Sequence, residues 1–165
     1  MKKTILDKIG FFGPQILFFL NVYKLFYRKV FLFAYIIFFF VNSLSNKVLK
    51  ECIREPRPKN QILMEEYQDF STIEKYGMPS GHAQSSCFSL TFLFLTTQTL
   101  WVLFGLCIVV LTLYQRYKHN RHTLTQLFVG SLIGIIFSCC VFYTTKYYLD
   151  SQTDKNVTLI YNVSK

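Results

Sequence analysis

The sequence predicts an all-α protein, an integral-membrane helical bundle with about five transmembrane helices. Hydrophobic residues make up 52% of the 165 residues and charged residues only 16%, which is richer in apolar side chains than a typical soluble domain. A helix that spans a membrane needs about 20 mostly apolar residues, and several long segments of this chain carry no charge. These uncharged segments are residues 9–23, 30–46, 83–115 and 124–145.

The uncharged segments place the helices in order along the chain. The first two segments are separated by the Arg28–Lys29 pair, which we expect to lie in a hairpin between two spans. Segment 83–115 is too long for one helix, so a turn is expected at its polar residues 96–99. Residues 1–150 are expected to form a single membrane-embedded domain, followed by a short polar C-terminal tail at 151–165. The predicted spans are residues 9–27, 29–49, 82–97, 99–117 and 123–148.

An odd number of spans assigns the polar segments to two faces of the membrane. With five spans, residues 50–81 and 116–122 emerge on the side of the N-terminus, and the C-terminal tail emerges on the other side. Most of the 18 Lys and Arg residues lie on the N-terminal side. The positive-inside rule therefore favours a cytosolic location for that side, and a lumenal location stays open.

The last predicted span contains two glycines that favour close helix packing. Gly130 and Gly134 are one helical turn apart, so they share one face of the helix. Glycines with this spacing let two backbones approach closely in a membrane. We expect this packing to occur within the chain rather than between two copies.

The net charge of +9 favours an anionic partner, either nucleic acid or lipid. The basic residues sit between apolar segments and form no continuous basic face. We therefore expect membrane lipids and a lipid phosphate as partners, and no nucleic acid.

A pair of cations follows the second predicted span. Lys50 and Arg57 are seven residues apart, a separation that returns to one face of a helix, and Pro56 and Pro58 stop the helix there. Both cationic groups could therefore face a single anion, which the guanidinium could bind through two oxygens. Taken alone, the pair is more typical of interfacial cations whose stems lie along apolar surface.

The run Pro79-Ser80-Gly81-His82 opens the third predicted span. Proline is favoured in a first helical turn, and a serine hydroxyl beside a glycine makes a helix N-terminus suited to an anion. His82 could protonate a leaving oxygen, because imidazole titrates near neutral pH. An ordinary capped helix start with an interfacial histidine would show the same residues.

Arg116 and His122 lie between the fourth and fifth predicted spans. His122 could attack the phosphorus of a bound phosphate while Arg116 holds its charge. Gln126, one helical turn further on, could accept a hydrogen bond from the second ring nitrogen and orient the imidazole. His119 and Arg121 are expected to be solvated loop residues.

The order and spacing of these motifs resemble the type 2 phosphatidic acid phosphatase superfamily, whose pattern is K-x6-R-P, P-S-G-H and S-R-x5-H-x3-D. The resemblance covers residues 42–138 and implies a lipid phosphatase that needs no metal and no cofactor. It implies that His122 is the nucleophile and His82 the general acid. The residues implied to bind the substrate phosphate are Lys50, Arg57, Ser80, Gly81 and Arg116.

Two positions depart from that pattern, with Gln115 in place of serine and Gln126 in place of aspartate. Residues 55–58 and 75–80 resemble the dolichyl diphosphatase branch, which carries glutamine at the position of Gln126. An anhydride expels a phosphate with a pKa of about 6, whereas an ester expels an alkoxide, whose conjugate acid has a far higher pKa. The anhydride therefore needs a less activated nucleophile, and we expect Gln126→Asp to leave diphosphate hydrolysis intact.

No metal site is expected from the sequence. The five cysteines match no zinc pattern, and the acidic residues between the first two motifs lack ligand spacing. These acidic residues are Glu65, Glu66, Asp69 and Glu74.

Three functions stay open at this level. The first is hydrolysis of a polyprenyl (dolichyl) diphosphate in the endoplasmic reticulum membrane, through a phosphohistidine. The second is a broad lipid phosphate phosphatase of the phosphatidate type. The third is a catalytically degenerate membrane protein that binds a lipid headgroup. An enzyme selective for anhydrides would hydrolyse prenyl diphosphates and leave phosphatidate nearly untouched.

Overall fold

The computed structural model describes residues 4–62, 75–97 and 100–163, with side chains described as far as residue 153. These residues form α-helices and, among themselves, no β-strand, although Pro56 and Tyr76 make one isolated antiparallel bridge. The predicted all-α fold class is confirmed. In chain order the described helices are α1 (Ile5–Phe11), α2 (Gly13–Leu25), α3 (Lys29–Ile53), α4 (Gly81–Thr97), α5 (Trp101–Lys118) and α6 (Leu124–Val163).

The first predicted span is two helices rather than one. α1 and α2 meet at Phe12 with a bend of 64°. Pro14 lies in the first turn of α2, and because proline has no N–H it cannot continue the hydrogen bonds of α1. The bent pair covers residues 5–25, so the predicted range of 9–27 was shifted toward the C-terminus and missed the break.

The remaining predicted spans correspond to α3, α4, α5 and α6. The predicted turn at 96–99 is wrong for residues 96 and 97, which are the last two residues of α4, and residues 98–99 lie outside the described part of the chain. α3 continues past its predicted end to Ile53, which makes Lys50 part of the helix. α6 is 40 residues long, so its backbone stays helical through much of the segment predicted as a tail. The division into a domain and a tail stays a prediction.

Within the described residues, two helices are long and apolar enough to cross a membrane. These are α3 and residues Leu124–Thr153 of α6, and the bent α1–α2 pair is a third if it counts as one span. α4 and α5 have 17 and 18 residues, which at 1.5 Å per residue is about 26 and 27 Å. They are slightly shorter than the ~30 Å hydrocarbon core. Length and composition therefore support two or three spans where about five were predicted.

α4 is the central helix of the bundle. Ten of its 17 residues are buried, and it packs against α2, α3, α5 and α6. A helix surrounded in this way needs no polar face, because its neighbours rather than water cover it. Two core clusters contain its side chains: one comprises Leu25, Tyr35, Phe88, Phe92 and Val141, and the other comprises Leu17, Cys87, Ile108 and Val109.

α6 packs closely on α4 because glycines occupy the contact. A Cβ atom at Gly130 would lie 2.6 Å from the Ser80 carbonyl oxygen, and one at Gly134 would overlap the Gln84 carbonyl oxygen. The glycine pair therefore packs within the chain, as its spacing predicted. At this contact the Ser80 N–H donates to the Gln126 carbonyl oxygen at 3.1 Å, which joins the second motif to the third.

The outer faces of the bundle are apolar. In the most apolar 18-residue stretch of α3, only 17% is buried inside the bundle, and in that of α6 only 28% is buried. Phe40 on α3 and Phe128 on α6 are 61% and 67% exposed. A surface this apolar would be an association site on a soluble protein. On an integral-membrane bundle it contacts lipid tails.

Contacts between helix ends bring the N-terminus and the motifs to one end of the bundle. Asp7 accepts a hydrogen bond from Lys118 at 2.9 Å, and its carboxylate lies 3.2 Å from Nε2 of His119. At the opposite end, Arg28 donates to the Thr96 carbonyl oxygen at 2.7 Å. The loop between α5 and α6 therefore lies beside α1, far from the α2–α3 hairpin.

We expect Gly134→Ala to destabilise the protein, because the new methyl group would meet the α4 backbone rather than a mobile side chain. Overpacking of this kind lowers the free energy of unfolding by about 1–3 kcal/mol, measurable by thermal unfolding in detergent. Gly105→Ala is the matched control, since side-chain atoms of Leu90, Leu17 and Leu93 surround that position. A Gly134→Ala protein as stable as the Gly105→Ala protein would contradict the tight α4–α6 contact.

Candidate active site

All predicted site residues lie at the end of the bundle where α3 and α5 finish and α4 and α6 begin. The first motif spans the end of α3 and the loop after it, the second spans the turn into α4, and the third spans the end of α5 and the loop before α6. Because α3 ends at Ile53, the expectation that Lys50 and Arg57 share one helical face is wrong. Their roles in binding and catalysis stay predictions. The residues are Lys50, Arg57, Ser80, Gly81, His82, Arg116, His122 and Gln126.

Three basic side chains act on His122. Lys50 is buried in the last turn of α3, and Arg116 is buried in the last turn of α5. Arg57 lies in the loop after α3 and donates to the Arg121 carbonyl oxygen at 3.5 Å. The positive charges of all three reach the His122 ring. Fixed positive charge in a site that excludes water is suited to stabilising a phosphate in transfer.

His122 is buried and paired with Gln126. Nδ1 of His122 lies 3.1 Å from Oε1 of Gln126, which is fully buried in the first turn of α6. An amide oxygen can only accept a hydrogen bond, so Nδ1 carries the ring proton and Nε2 carries the lone pair. That tautomer is the one in which Nε2 can act as a nucleophile.

The surroundings lower the pKa of His122 well below its ordinary value of 6.5. Burial is the largest cause, because desolvation disfavours the charged imidazolium, and the charges of Arg57, Arg116 and Lys50 act in the same direction. The hydrogen bond to Gln126 acts in the opposite direction. His122 is therefore neutral at pH 7.

The second motif forms the N-terminus of α4. Ser80 is fully buried just before the helix, and its hydroxyl accepts a hydrogen bond from the Ala83 N–H at 3.5 Å. Gly81 is the first residue of the helix. Asn46 of α3 donates to the Pro79 carbonyl oxygen at 3.2 Å, which ties this turn to α3. The first N–H groups of a helix lack intrahelical partners and attract anions.

His82 contacts the junction of α1 and α2. Its Nε2 atom lies 3.1 Å from the Phe11 carbonyl oxygen and contacts the Arg116 guanidinium. That guanidinium lies 4.9 Å from the centre of the Phe11 ring. The carbonyl oxygen can only accept, which favours a proton on Nε2, whereas the guanidinium can only donate, which favours a lone pair there. The break at Phe12 thus places Phe11 against two site residues.

The expectation that His119 and Arg121 are solvated is wrong. They are only 2% and 6% exposed, because the α5–α6 loop lies against α1, where Asp7 meets His119. Neither Asp7 nor Phe11 belongs to a predicted motif. Their partners lie 112 and 71 residues away in sequence, and no local spacing signals such contacts.

A cavity of about 400 Å³ opens between α2 and α3 beside the site. Asn46, Gly81 and His82 are among its polar lining residues, and four phenylalanines supply much of its apolar lining. Phe39 and Asn46 are seven residues apart on α3, about 10 Å along the helix at 1.5 Å per residue. The cavity therefore leads from polar groups at the site to an aromatic surface that includes the exposed Phe19 and Phe40 on the outer face of the bundle. The phenylalanines are Phe18, Phe19, Phe39 and Phe40.

No group of three or more His, Cys, Asp or Glu residues within the described ranges is arranged to hold a metal ion. The four acidic residues of the loop considered for a metal site, Glu65, Glu66, Asp69 and Glu74, lie outside those ranges.

The PAP2 superfamily model matches residues 18–150, so this chain belongs to the PAP2 superfamily, a family of lipid phosphatases. The family resemblance identified from the motifs is confirmed. The match includes all three motifs and the helices that carry them, while α1 precedes it.

Proteins that are similar to this chain include a yeast enzyme and a bacterial enzyme of known structure. A dolichyldiphosphatase from Saccharomyces cerevisiae is 28% identical over 118 residues, which is 62% of this chain and 47% of the relative. This chain therefore spans about half the length of that relative. A transmembrane PAP2-type phosphatidylglycerolphosphate phosphatase from Bacillus subtilis aligns with a TM-score of 0.62 at 22% identity, over 89% of this chain and 80% of that one. The second similarity concerns the fold.

We expect His122 to titrate with a midpoint below 6.5, measurable by nitrogen NMR of the three histidines with assignment by single substitution. Arg57→Gln should raise this pKa, because removing a nearby positive charge favours the imidazolium. Lys59→Gln, which removes an exposed charge from the same loop, is the control. A His122 midpoint at or above 6.5 would contradict the burial and charge described here.

Proposed function

We propose that this protein hydrolyses the anhydride bond of a polyprenyl (dolichyl) diphosphate, releasing orthophosphate and the lipid monophosphate. The observation that carries the proposal is a buried, neutral His122, bonded through Nδ1 to Gln126 and surrounded by cations. The similarity to the yeast dolichyldiphosphatase supports this substrate class. Membership of the PAP2 superfamily supports a lipid phosphate as the substrate.

In the proposed first step, Nε2 of His122 attacks the terminal phosphorus. A nitrogen–phosphorus bond forms as the bridging oxygen–phosphorus bond breaks, and the bond's electron pair leaves with the lipid monophosphate. His82 donates a proton to that leaving oxygen. In the second step, water attacks the phosphohistidine and gives a proton to His82, and orthophosphate leaves His122. Both histidines return to their starting states.

The cations have a separate part in the proposed reaction. Charge in a transferring phosphoryl group spreads over its equatorial oxygens, so catalysis depends mainly on positioning and fixed positive charge. Lys50, Arg57 and Arg116 supply that charge. Ser80 and the backbone at Gly81 add neutral donors at the N-terminus of α4. This donor set needs no metal or cofactor.

A neutral partner for His122 suits an anhydride. The leaving phosphate has a pKa of about 6, so its departure requires little help, and a neutral amide at Gln126 activates the imidazole less than a carboxylate would. Esters, whose alkoxide leaving group is far more basic, require more activation. The pairing in the structure therefore supports a preference for diphosphates over phosphatidate-type monoesters.

The cavity between α2 and α3 supports a lipid substrate. With the diphosphate beside His82, the tail would extend along α3 toward Phe39 and Phe40. Aromatic rings offer a large apolar contact area to an isoprenoid chain. An enzyme acting on dolichyl diphosphate would recycle the lipid carrier of protein N-glycosylation. We therefore propose the endoplasmic reticulum membrane as its location.

We expect the detergent-solubilised protein to release orthophosphate from farnesyl and dolichyl diphosphates, to leave phosphatidate nearly untouched, and to keep its activity in EDTA. Acid-labile radioactive phosphate should be trapped on the protein during turnover of terminally labelled substrate. His122→Ala should lower turnover by about 10³-fold or more and abolish the trapped label.

Each part of this experiment has a contradicting outcome. Equal rates on phosphatidate would favour a broad lipid phosphate phosphatase, and no hydrolysis of any substrate would favour a headgroup-binding protein. Activity that disappears in EDTA and returns with magnesium would contradict the metal-independent route. Label on His122→Ala at the wild-type level would show that another residue is the nucleophile.

We expect Ser43→Trp, which fills part of the cavity lining, to discriminate between substrates by tail length. The value of kcat/KM for dolichyl diphosphate should fall about 10-fold or more, because apolar contacts of the tail are lost. The value for isopentenyl diphosphate, which has a short tail, should change less than about threefold. Ser43→Ala is the control. Equal losses on both substrates would mean that the tail does not occupy this cavity.

A further inference from the structure

The side-chain amide of Gln126 has one possible orientation. Its Nε2 donates to Oε1 of Glu55 at 2.8 Å and to the Pro56 carbonyl oxygen at 3.0 Å. Its Oε1 faces Nδ1 of His122 at 3.1 Å and accepts from the Thr123 N–H at 3.3 Å. A carboxylate and a carbonyl can only accept, and a backbone N–H can only donate, so the reversed amide would face like groups on both sides.

Glu55 is held in place by the turn that precedes α4. The Gly77 N–H donates to the Glu55 carbonyl oxygen at 2.8 Å, and Pro56 pairs with Tyr76 in the isolated bridge. A Cβ atom at Gly77 would lie 2.6 Å from Oε1 of Gln126. Any larger residue at position 77 would therefore displace the amide. The Pro56–Tyr76 bridge and Gly77 together enclose the Gln126 side chain.

We propose that Glu55 is a positioning residue, whose carboxylate fixes the Gln126 amide with Oε1 toward His122 and supplies negative charge to the imidazole through it. An amide that donates to a carboxylate becomes a stronger acceptor at its oxygen, because hydrogen bonds in a chain polarise one another. An aspartate at position 126 would place a negative charge directly beside His122. In this chain the negative charge lies on Glu55, one side chain further away. This proposal rests on the proposed function, in which His122 is the nucleophile.

The same geometry reverses the expectation for Gln126→Asp. A carboxylate at position 126 has no proton to give to Glu55 or to the Pro56 carbonyl oxygen. It would also place two negative charges side by side, which raises the energy of the ionised pair. We therefore expect Gln126→Asp to reduce diphosphate hydrolysis.

The test exchanges the two side chains. Glu55→Gln removes the charge, isosteric Gln126→Glu puts a second carboxylate against Glu55, and the double variant restores one amide and one carboxylate in reversed order. We expect kcat for the diphosphate to fall about 10-fold or more in each single variant, with KM changed less than about threefold. The double variant should recover part of the loss of Gln126→Glu, because the amide at position 55 can donate to the carboxylate at position 126, while the Pro56 carbonyl oxygen still lacks its donor.

Glu51→Gln is the matched control, because Glu51 is an exposed carboxylate in the last turn of α3, four residues before Glu55. It should keep wild-type kcat. Single-variant losses that multiply in the double variant would overturn the proposal, since they would show that the two side chains act independently.

The His122 titration gives a readout that does not need turnover. Glu55→Gln should lower the pKa of His122 further, because losing a nearby negative charge disfavours the imidazolium. Glu55→Asp, which keeps the charge, is the second variant and should leave that pKa close to the wild-type value. A purely structural Glu55 would lower the melting temperature without moving the titration, and an unchanged His122 pKa in Glu55→Gln would overturn the proposal. If the wild-type protein hydrolyses no diphosphate, the proposed function fails, and the titration still decides the role of Glu55.

Discussion

The close contact of α4 with α6 is the constraint on which the rest of the site depends. Glycines at 130 and 134 leave no side chain between the two backbones, so the Ser80 N–H reaches the Gln126 carbonyl oxygen. That single hydrogen bond joins the start of α4 to the start of α6. Two helix N-termini and the histidine between α5 and α6 therefore meet at one end of the bundle. In a membrane, where lipid tails are as apolar as the helices, such close packing is a main source of helix association.

Three parts of the candidate site are held by groups from distant parts of the chain. Gln126 is held by Glu55, His82 by the Phe11 carbonyl oxygen, and the α5–α6 loop by Asp7. Several cations and two histidines share a small buried volume, and such groups are destabilising unless neighbours fix and satisfy them. The same contacts preorganise the candidate site. Donors and charges that are already in place need no reorganisation when negative charge develops on a bound phosphate.

The sequence predicted the features that depend on local composition and on short spacings. Long uncharged segments gave the order of the helices and the all-α class, since apolar length is read directly from the residues. The three motifs predicted a common site, and the PAP2 match confirmed the family. The pairing of His122 with Gln126 was also predicted from their separation of four residues, although His122 lies just before α6 rather than on it. The spacing of Gly130 and Gly134 predicted close packing within the chain.

Only the tertiary structure decided which distant groups complete the site. Pro14 was visible in the sequence, yet the 64° break that presents Phe11 to His82 depends on how α1 and α2 pack against α5. His119 and Arg121 were expected to be solvated because polar loop residues usually are, whereas both are buried, and His119 meets Asp7 of α1. Glu55 meets Gln126 across 71 residues of sequence. The sequence by itself determined the helices and the chemical groups of the motifs, because these follow from apolar length and helical spacing. The tertiary structure determined the partners of those groups, because contacts between distant segments have no local pattern.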